Sequence, residues 1–188
     1  KLLRSWQEID TIRRRRMALA QVLLNLFLSR RQGNTLLVTC KQGELEAALQ
    51  ADLTSPTDLS ALETRLRDDN RIGILINNAG KAQAGAFEDQ TAEDIESLIT
   101  LNTTALTRLA AAVAPRFAQS ATGAIVNIGS VVSFAPEFGM SIYGATKAFV
   151  LFLSQGLNIE LAPKGVYVQA VLPASTRTEI WERAGIDV

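Results

Sequence analysis

Short apolar runs alternate with helical patterns along most of the chain after residue 33. The apolar runs are typical of β-strands and read NTLLVTC (34–40), GILINNAG (73–80), GAIVNIGS (123–130) and VYVQAVLP (166–173). Helical spacing falls between them at about 55–70, 91–120 and 143–161, with Ser55 or Thr57 as a cap and a kink expected at Pro115. Strands that are apolar on both faces and alternate with helices predict an α/β fold built on a doubly wound parallel sheet.

Polar and small residues follow the predicted strands. They are Cys40, Asp52, the segment from Asn77 to Gly80, Ser130, and the segment from Pro173 to Thr178. Ligands of doubly wound sheets bind beyond the carboxyl ends of the strands. We therefore expect the functional site at this edge of the sheet.

The first 33 residues follow a different pattern. Four arginines, Arg13 to Arg16, precede an apolar run that Arg30 and Arg31 close. This order resembles a secretory signal, but no small-residue cleavage site follows, and the run is shorter than the ~20 residues that span a bilayer. We therefore expect a buried helix from Met17 that ends near Gly33, with no membrane partner.

Composition narrows the possible chemistry. With 47% hydrophobic and 20% charged residues, residues 1–188 are expected to form one globular domain. The 19 basic and 19 acidic residues cancel, which favours a small neutral ligand or another protein over nucleic acid. The chain has one cysteine, Cys40, and no histidine, which excludes internal disulfides, multi-cysteine zinc sites and histidine-based triads or metal sites. A single cysteine also suits a reducing cytoplasm.

The segment SIYGATKAFV (141–150) places Tyr143 and Lys147 four positions apart near the start of a helix. Residues at this spacing share one helix face, so both side chains can meet one ligand. An ammonium near a phenol favours the phenolate, and we therefore expect the pKa of Tyr143 to be lowered toward neutrality. Taken alone, such a pair is more often a helix cap and a solvated charge, because the spacing occurs often by accident.

Three other features precede this pair in a fixed order. NNAG occupies 77–80, Asn102 lies in LITLNTTAL, and Ser130 comes thirteen positions before Tyr143. Together with YxxxK, these residues resemble the short-chain dehydrogenase/reductase family over roughly residues 34–188. The resemblance implies a Rossmann-like fold and an NAD(P)(H)-dependent oxidoreductase that interconverts a carbonyl and an alcohol.

The resemblance also implies roles for four catalytic residues. Tyr143 would be the general acid/base, and Lys147 would lower its pKa and bind the nicotinamide ribose. Ser130 would hold the substrate oxygen, and Asn102 would position a water that leads from Lys147 to solvent. A short-lived alkoxide in a dry site needs donors already aimed at it, which Ser130 and Tyr143 can supply without a metal.

Further residues match the cofactor-binding positions of the family. Asp52 and Leu53 in ADL would contact the adenine, and Asn78, Ala79 and Gly80 would lie along the adenosine ribose. In PASTRT, which departs from the family's PGxxxT at Ala174, Pro173, Thr176 and Thr178 would lie near the nicotinamide carboxamide. Lys41 follows Cys40 at the end of the predicted second strand of the family's sheet, where a basic residue accompanies NADP. NADP(H) is therefore expected in preference to NAD(H).

Three stretches depart from the family. No glycine precedes Gly33, so the glycine-rich phosphate loop is absent; KQGELEAALQADL is too short for a crossover helix; and the chain ends at Val188, before the family's lid. The favoured interpretation is that the chain is an incomplete part of a longer protein. The alternative is a degenerate domain that has lost cofactor binding and acts as a scaffold or regulatory partner.

Two expectations concern the surface. Val132, Phe134, Phe138 and Met140 surround the expected pocket and suggest an apolar carbonyl or alcohol substrate, although core packing explains them equally well. The helix after Lys147 carries apolar residues, including Phe149, Phe152 and Ile159, around more than one face. A homodimer or homotetramer that covers the remaining apolar face is therefore expected.

Overall fold

The computed structural model describes residues 36–41 and 44–174, with side chains from residue 51 onward. Its first two strands are β1 (Leu36–Lys41) and β2 (Glu44–Gln50). They pair antiparallel, with Leu36 opposite Gln50 and Lys41 opposite Glu44. The prediction that residues 34–40 form a strand is thus confirmed in its position, but its placement in the parallel sheet is wrong. Only residues 42 and 43 connect the strands, and a connection this short permits a hairpin and no parallel crossover.

A three-stranded parallel sheet forms the centre of the fold. Its strands are β3 (Ile74–Asn77), β4 (Ala124–Ile128) and β5 (Tyr167–Val171), hydrogen-bonded in the order β3-β4-β5. Helices connect each strand to the next, as parallel pairing requires. This confirms the predicted α/β class and the parallel direction of these strands.

The helix before β3 is α1 (Pro56–Asp68). The side chain of Ser55 accepts a hydrogen bond from the backbone N–H of Asp58, so Ser55 is the cap. Pro56 begins the helix, where its missing N–H is not needed. Three buried leucines at helical spacing attach the helix to the core: Leu59, Leu62 and Leu66.

The long helical region between β3 and β4 has three parts. It consists of α2 (Ala92–Ile99), a π-helical segment (Thr100–Ala105) and α3 (Leu106–Gln119). We predicted an irregularity at Pro115, but α3 continues through this exposed proline. The change of helix type instead falls at the segment that contains Asn102, as π-bulges often do at functional sites.

The helix between β4 and β5 is α4 (Ser141–Leu161), which begins two residues before the predicted start at Tyr143. A large apolar cluster joins α1, α3, the parallel sheet and the end of α4, and Phe117, Val113 and Ile125 lie at or below 1% exposure within it. A smaller cluster lies beneath the start of α4 and consists of Leu98, Val132, Met140 and Tyr143. Within the described ranges, no helix is both long enough and apolar enough to cross a bilayer.

Candidate active site at the carboxyl end of the parallel sheet

Tyr143 and Lys147 lie on the face of α4 that is turned toward the protein interior. Tyr143 is 4% exposed and Lys147 is 5% exposed. The ammonium nitrogen of Lys147 lies 5.7 Å from the centre of the Tyr143 ring. The two side chains therefore share one largely dry environment, and the interpretation of Lys147 as a solvated charge is wrong.

The ammonium of Lys147 is held by the end of β4. Its Nζ donates a hydrogen bond of 3.0 Å to the carbonyl oxygen of Ile128, the last residue of the strand. An ammonium has three N–H donors, and this bond uses one of them. Burial disfavours the charged form and lowers the pKa of Lys147 to about 8.

The phenol of Tyr143 is affected mainly by its burial. Burial raises the pKa of Tyr143 above its ordinary value, while a hydrogen bond with Ser130 acts in the opposite direction. Our expectation of a lowered Tyr143 pKa is therefore wrong for the protein alone. The physical reason is that burial disfavours the charged phenolate by more than the hydrogen bond with Ser130 favours it.

Ser130 is positioned where β4 passes into a short 3₁₀ helix (Val131–Phe134). Its Oγ accepts a hydrogen bond from the backbone N–H of Val132, which fixes the side chain, and the residue is 6% exposed. The N–H of Val131 donates to the carbonyl oxygen of Pro173. This bond brings the segment after β5 to the same edge of the sheet, as predicted for Pro173.

Asn102 connects three parts of the site from within the π-helical segment. Its Oδ1 accepts from the N–H of Lys81, and its Nδ2 donates to the carbonyl oxygen of Lys81 and to Thr146 Oγ1. The Thr146 hydroxyl in turn donates to the carbonyl oxygen of Tyr143. Asn102, which is 1% exposed, thus attaches the loop after β3 to the second turn of α4.

Gly80 occupies a position where a side chain would meet Asn102 and Lys147. A Cβ at Gly80 would lie 3.2 Å from Asn102 Oδ1 and 3.4 Å from Lys147 Nζ. These contacts are close, so the absent Cβ lets the backbone run directly beside both polar atoms. The preceding residues, Asn78 and Ala79, are exposed and partly exposed, respectively. An open strand end, a close glycine and a lysine with remaining donors fit the ribose of a dinucleotide.

Asp52 and Leu53 lie after β2 and before α1. Leu53 is buried at 3% exposure, whereas Asp52 is only partly buried. The Asp52 carboxylate accepts hydrogen bonds from the side chain and the backbone N–H of Thr54, which hold the pKa of Asp52 below its usual range. That Asp52 and Leu53 contact the adenine of a cofactor remains a prediction.

Some predicted residues are not joined to this site by the structure. Lys41 ends β1, which, in the part of the chain that the structure describes, is hydrogen-bonded to β2 and to no strand of the parallel sheet. Thr176 and Thr178 lie outside the described residues, as do Arg13 to Arg16 and the helix expected from Met17 to Gly33.

The apolar residues expected around the pocket divide into two groups. Val132 and Met140 are buried and pack with Tyr143. Phe134 and Phe138 are 68% and 63% exposed. Core packing thus accounts for the first pair but not for the second.

Sequence reasoning missed Thr146 and the Ile128 carbonyl group. Thr146 is next to Lys147 and would be dismissed as a neutral helix residue, and a backbone oxygen leaves no residue-type signal. It also missed the buried polar residues Asn127 and Ser154, which are 0% and 2% exposed. Ser154 could have been found, because it lies seven positions after Lys147 and so on the same face of a helix.

The parallel α/β sheet gathers a buried tyrosine, lysine and serine at its carboxyl edge, where the ligands of such sheets bind. Comparison with known proteins identifies the family. Residues 16–187 match the family model for short chain dehydrogenase. The chain belongs to the short-chain dehydrogenase family, which confirms the resemblance drawn from its motifs.

Individual relatives agree with this assignment. The chain is 32% identical over 145 residues to oxidoreductase UcpA of Escherichia coli (strain K12), covering 76% of this chain and 55% of the relative. It is 83% identical, with a TM-score of 0.73, to a structure of a short-chain dehydrogenase from Sphingobium yanoikuyae in complex with NADPH, covering 74% of this chain and 54% of that one. It is 73% identical, with a TM-score of 0.68, to the bulky-bulky ketone specific alcohol dehydrogenase from Comamonas testosteroni, covering 69% and 51%. The chain therefore spans about half the length of these relatives.

Proposed function

We propose that this protein is an NAD(P)(H)-dependent oxidoreductase that interconverts a carbonyl and an alcohol. The observation that carries the proposal is that Tyr143, Ser130 and Lys147 are all buried, with the Lys147 ammonium nitrogen 5.7 Å from the centre of the Tyr143 ring. Such a group of donors suits a reaction in which negative charge develops on a substrate oxygen. The family assignment supports an oxidoreductase.

In this proposal a substrate carbonyl oxygen receives hydrogen bonds from Ser130 and Tyr143. A bound nicotinamide cofactor would supply the hydride. Tyr143 gives its phenolic proton to the developing alkoxide, and the raised pKa keeps this proton in place at neutral pH until it is needed. In the opposite direction, the phenolate takes the proton of the alcohol.

Lys147 and Asn102 support the proton transfer. The Lys147 ammonium places positive charge near the ring and would stabilise the phenolate formed when Tyr143 gives up its proton. The ammonium also has donors left for a ribose hydroxyl after its bond to Ile128. Asn102 Oδ1 and the Lys147 ammonium both lie close to the position that a Cβ of Gly80 would occupy. We propose that a water is held between these two side chains.

We further propose NADP(H) as the preferred cofactor. The relative from Sphingobium yanoikuyae is described in complex with NADPH, and its identity to this chain is 83%. The role of Lys41 in this preference remains a prediction, because β1 pairs away from the parallel sheet. Lys41→Asp should weaken NADPH binding far more than NADH binding in a fluorescence titration, and equal losses would remove Lys41 from the recognition of the 2′-phosphate.

The proposed substrate is an apolar ketone with large groups on the carbonyl carbon, or the corresponding alcohol. The relative from Comamonas testosteroni is named as specific for bulky-bulky ketones. In this chain the exposed rings of Phe134 and Phe138 lie between the two donors Ser130 and Tyr143 in sequence and would offer apolar surface to such groups. The alternative of a degenerate scaffold is less well supported, because the four candidate catalytic side chains remain buried and ordered around one another.

The proposal includes the oligomeric state of the protein and its location in the cell. Phe149, Phe152 and Ile159 of α4 are 43%, 78% and 76% exposed, an apolar surface that a second copy would cover in a homodimer or homotetramer. We also propose that residues 1–188 belong to one Rossmann-like domain and that the protein works in the cytoplasm.

The proposed reaction is tested with Tyr143→Phe. The variant loses one hydroxyl and keeps the ring that packs in the small cluster, so it should remain folded. We expect NADPH-dependent reduction of an aryl ketone to fall by at least about 100-fold, in line with the contribution of a general acid. NADPH should still bind in a titration. Wild-type turnover in this variant would overturn the assignment of Tyr143. Absence of both NADPH binding and ketone reduction in the wild type would favour the scaffold.

A further inference from the structure

A row of buried polar side chains crosses the fold beneath the candidate site. Asn77 Nδ2 donates to Asn127 Oδ1 at 2.9 Å, and Asn127 Nδ2 donates to Ser154 Oγ at 2.9 Å. The Ser154 hydroxyl then donates to the carbonyl oxygen of Val150 at 2.6 Å. The row runs from β3 through β4 to α4, and its three side chains are 7%, 0% and 2% exposed. We call Asn77, Asn127 and Ser154 the polar row.

The polar row connects the two strand ends beside the candidate site with α4, the helix that carries Tyr143 and Lys147. Asn77 is directly followed by the segment that ends at Gly80, and Asn127 is directly followed by Ile128, whose carbonyl oxygen holds Lys147. Asn77 and Asn127 are also register partners in the parallel sheet. The row therefore links the carboxyl ends of both strands by side-chain hydrogen bonds as well as by the sheet.

Ser154 lies on the same stripe of α4 as the catalytic pair. The stripe contains Tyr143, Lys147, Val150 and Ser154, spaced by four, three and four positions, which keeps all four on one helix face. All four are buried against the rest of the protein. Ser154 is the only member besides the catalytic pair with a polar side chain, and its one contact to the sheet through that group is Asn127 among the described residues.

An apolar pair at these positions would pack but would leave the helix free to slide or rotate by small amounts. A buried amide whose two ends are both hydrogen-bonded tolerates no such displacement, because an unpaired buried polar group is strongly unfavourable. The hydrogen bond of Asn127 to Ser154 thus fixes α4 along and around its own axis. Misplacing a catalytic group by only about 1 Å can lower a reaction rate by about 100-fold.

We propose that Asn127 and Ser154 are positioning residues, which fix the register of α4 against β4 so that Lys147 reaches the Ile128 carbonyl oxygen and Tyr143 faces Ser130. The inference rests on the proposed oxidoreductase activity for its catalytic meaning. The position of the Lys147 ammonium, which the inference also predicts, can be measured without turnover. Neither residue touches the reacting atoms.

The test uses two changes in the row and one matched control. Ser154→Ala removes the hydroxyl that joins helix to sheet, and Asn127→Leu replaces the amide by an apolar group of similar shape. Ser154→Cys keeps a group of similar size and a weak donor, and serves as the conservative variant. Leu161→Ala removes packing from the buried end of the same helix without touching the row, and controls for lost stability.

Two properties are measured in each variant. The first is the pH profile of kcat and KM for NADPH-dependent ketone reduction, at a temperature where all variants are folded. The second is the pKa of Lys147, followed by NMR of protein labelled with ¹³C at the lysine ε-carbon and assigned with Lys147→Met. The second readout needs no catalytic activity.

We expect Ser154→Ala and Asn127→Leu to lower kcat by about tenfold or more with little change in KM, as a small misplacement of catalytic groups would. The pKa of Lys147 should fall further, because a buried ammonium that loses its carbonyl acceptor is less stable in the charged form, and the midpoint of the pH profile should move with it. Ser154→Cys should recover part of the rate. Leu161→Ala should keep the wild-type kcat and Lys147 pKa.

Other outcomes are equally decisive. If the row variants keep the wild-type kcat and Lys147 pKa, or if Leu161→Ala changes both as much as they do, the row is structural only and the proposal fails. If Asn127→Leu does not fold, the kcat and Lys147 pKa of Ser154→Ala and Ser154→Cys test the proposal. If the wild type has no turnover but the Lys147 pKa falls in Ser154→Ala, the proposed function fails while the positioning of Lys147 stands.

Discussion

The side-chain amide of Asn102 exchanges two hydrogen bonds with the backbone of Lys81, accepting from its N–H and donating to its carbonyl oxygen, each at 3.0 Å. The same amide nitrogen also donates to Thr146 at 3.1 Å. One residue in a π-helical segment therefore supplies hydrogen-bond partners to both backbone groups of Lys81 and fixes the loop after β3 against α4. A loop held in this way needs no regular secondary structure to keep its backbone beside Lys147.

Asn102→Ala should weaken both the fold and the site. The change leaves the Lys81 N–H and carbonyl groups without their partners, so we expect the free energy of unfolding to fall by about 1–3 kcal/mol. Ketone reduction should fall as well, because Gly80 and Thr146 lose a common support. Urea unfolding followed by circular dichroism measures the first effect, and Thr104→Ala, an exposed position in the same π-helical segment, is the control. Equal unfolding midpoints for the two variants would contradict the role of Asn102.

Gly80→Ala tests the close approach of the backbone to Asn102 and Lys147. The new Cβ would lie 3.2 Å from Asn102 Oδ1 and 3.4 Å from Lys147 Nζ, so these side chains would have to move by a few tenths of an ångström. We expect kcat for ketone reduction to fall by about tenfold, since both groups belong to the proposed proton path. Gly73→Ala, whose Cβ would meet nothing within 4 Å, should keep the wild-type rate. Similar rates for both alanine variants would show that the space beside Gly80 is not used.

The pKa of Lys147 predicts how stability depends on pH. Below about 8 the ammonium is charged in both the folded and the unfolded state, and the folded protein bears the full penalty of its burial. Between pH 8 and 10.5 the folded state releases the proton while the unfolded state keeps it, so the free energy of unfolding should rise with pH, by roughly 3 kcal/mol in all. The raised pKa of Tyr143 acts in the opposite direction only above its ordinary value of 10.

Chemical unfolding of wild type and Lys147→Met between pH 7 and 10 measures this effect. The variant should lack the rise, because it has no ammonium to neutralise. Lys164→Met removes one charge from an exposed position and should retain the wild-type slope. Parallel curves for wild type and Lys147→Met would show that the buried ammonium is not penalised.

The sequence predicts the strands, the helices and the residues that share a helix face wherever the spacing of apolar residues alone determines them. Residues 73–80, 123–130 and 166–173 are apolar on both faces and are separated by helix-length segments, and they form the parallel sheet as predicted. The spacing of Tyr143 and Lys147 likewise sets both on one helix face without knowledge of the rest of the fold. The polar residues at strand ends came together because parallel strands share one carboxyl edge.

Other features depend on contacts that the local sequence does not contain. β1 was assigned to the wrong sheet because an apolar run shows no partner, although the two-residue connection to β2 was a signal for a hairpin. The π-helical segment at Asn102 is stabilised by Lys81 and Thr146, which are distant in sequence. The pKa of Tyr143 was predicted in the wrong direction because its burial depends on Leu98, Val132 and Met140.

The exposed apolar surface of α4 leads to the last prediction. Phe149, Phe152 and Ile159 point away from the core, and a second copy of the chain is the proposed cover. Multi-angle light scattering at micromolar concentration should give at least twice the mass of one chain. Phe152→Glu places a charge in the proposed interface and should reduce the mass to that of one chain, because a buried unpaired carboxylate is strongly unfavourable. Phe87→Glu makes the same change at another exposed ring, in the 3₁₀ helix Phe87–Asp89, and should leave the mass unaltered. A monomeric wild type, or equal masses for both variants, would show that this surface is not the contact between copies.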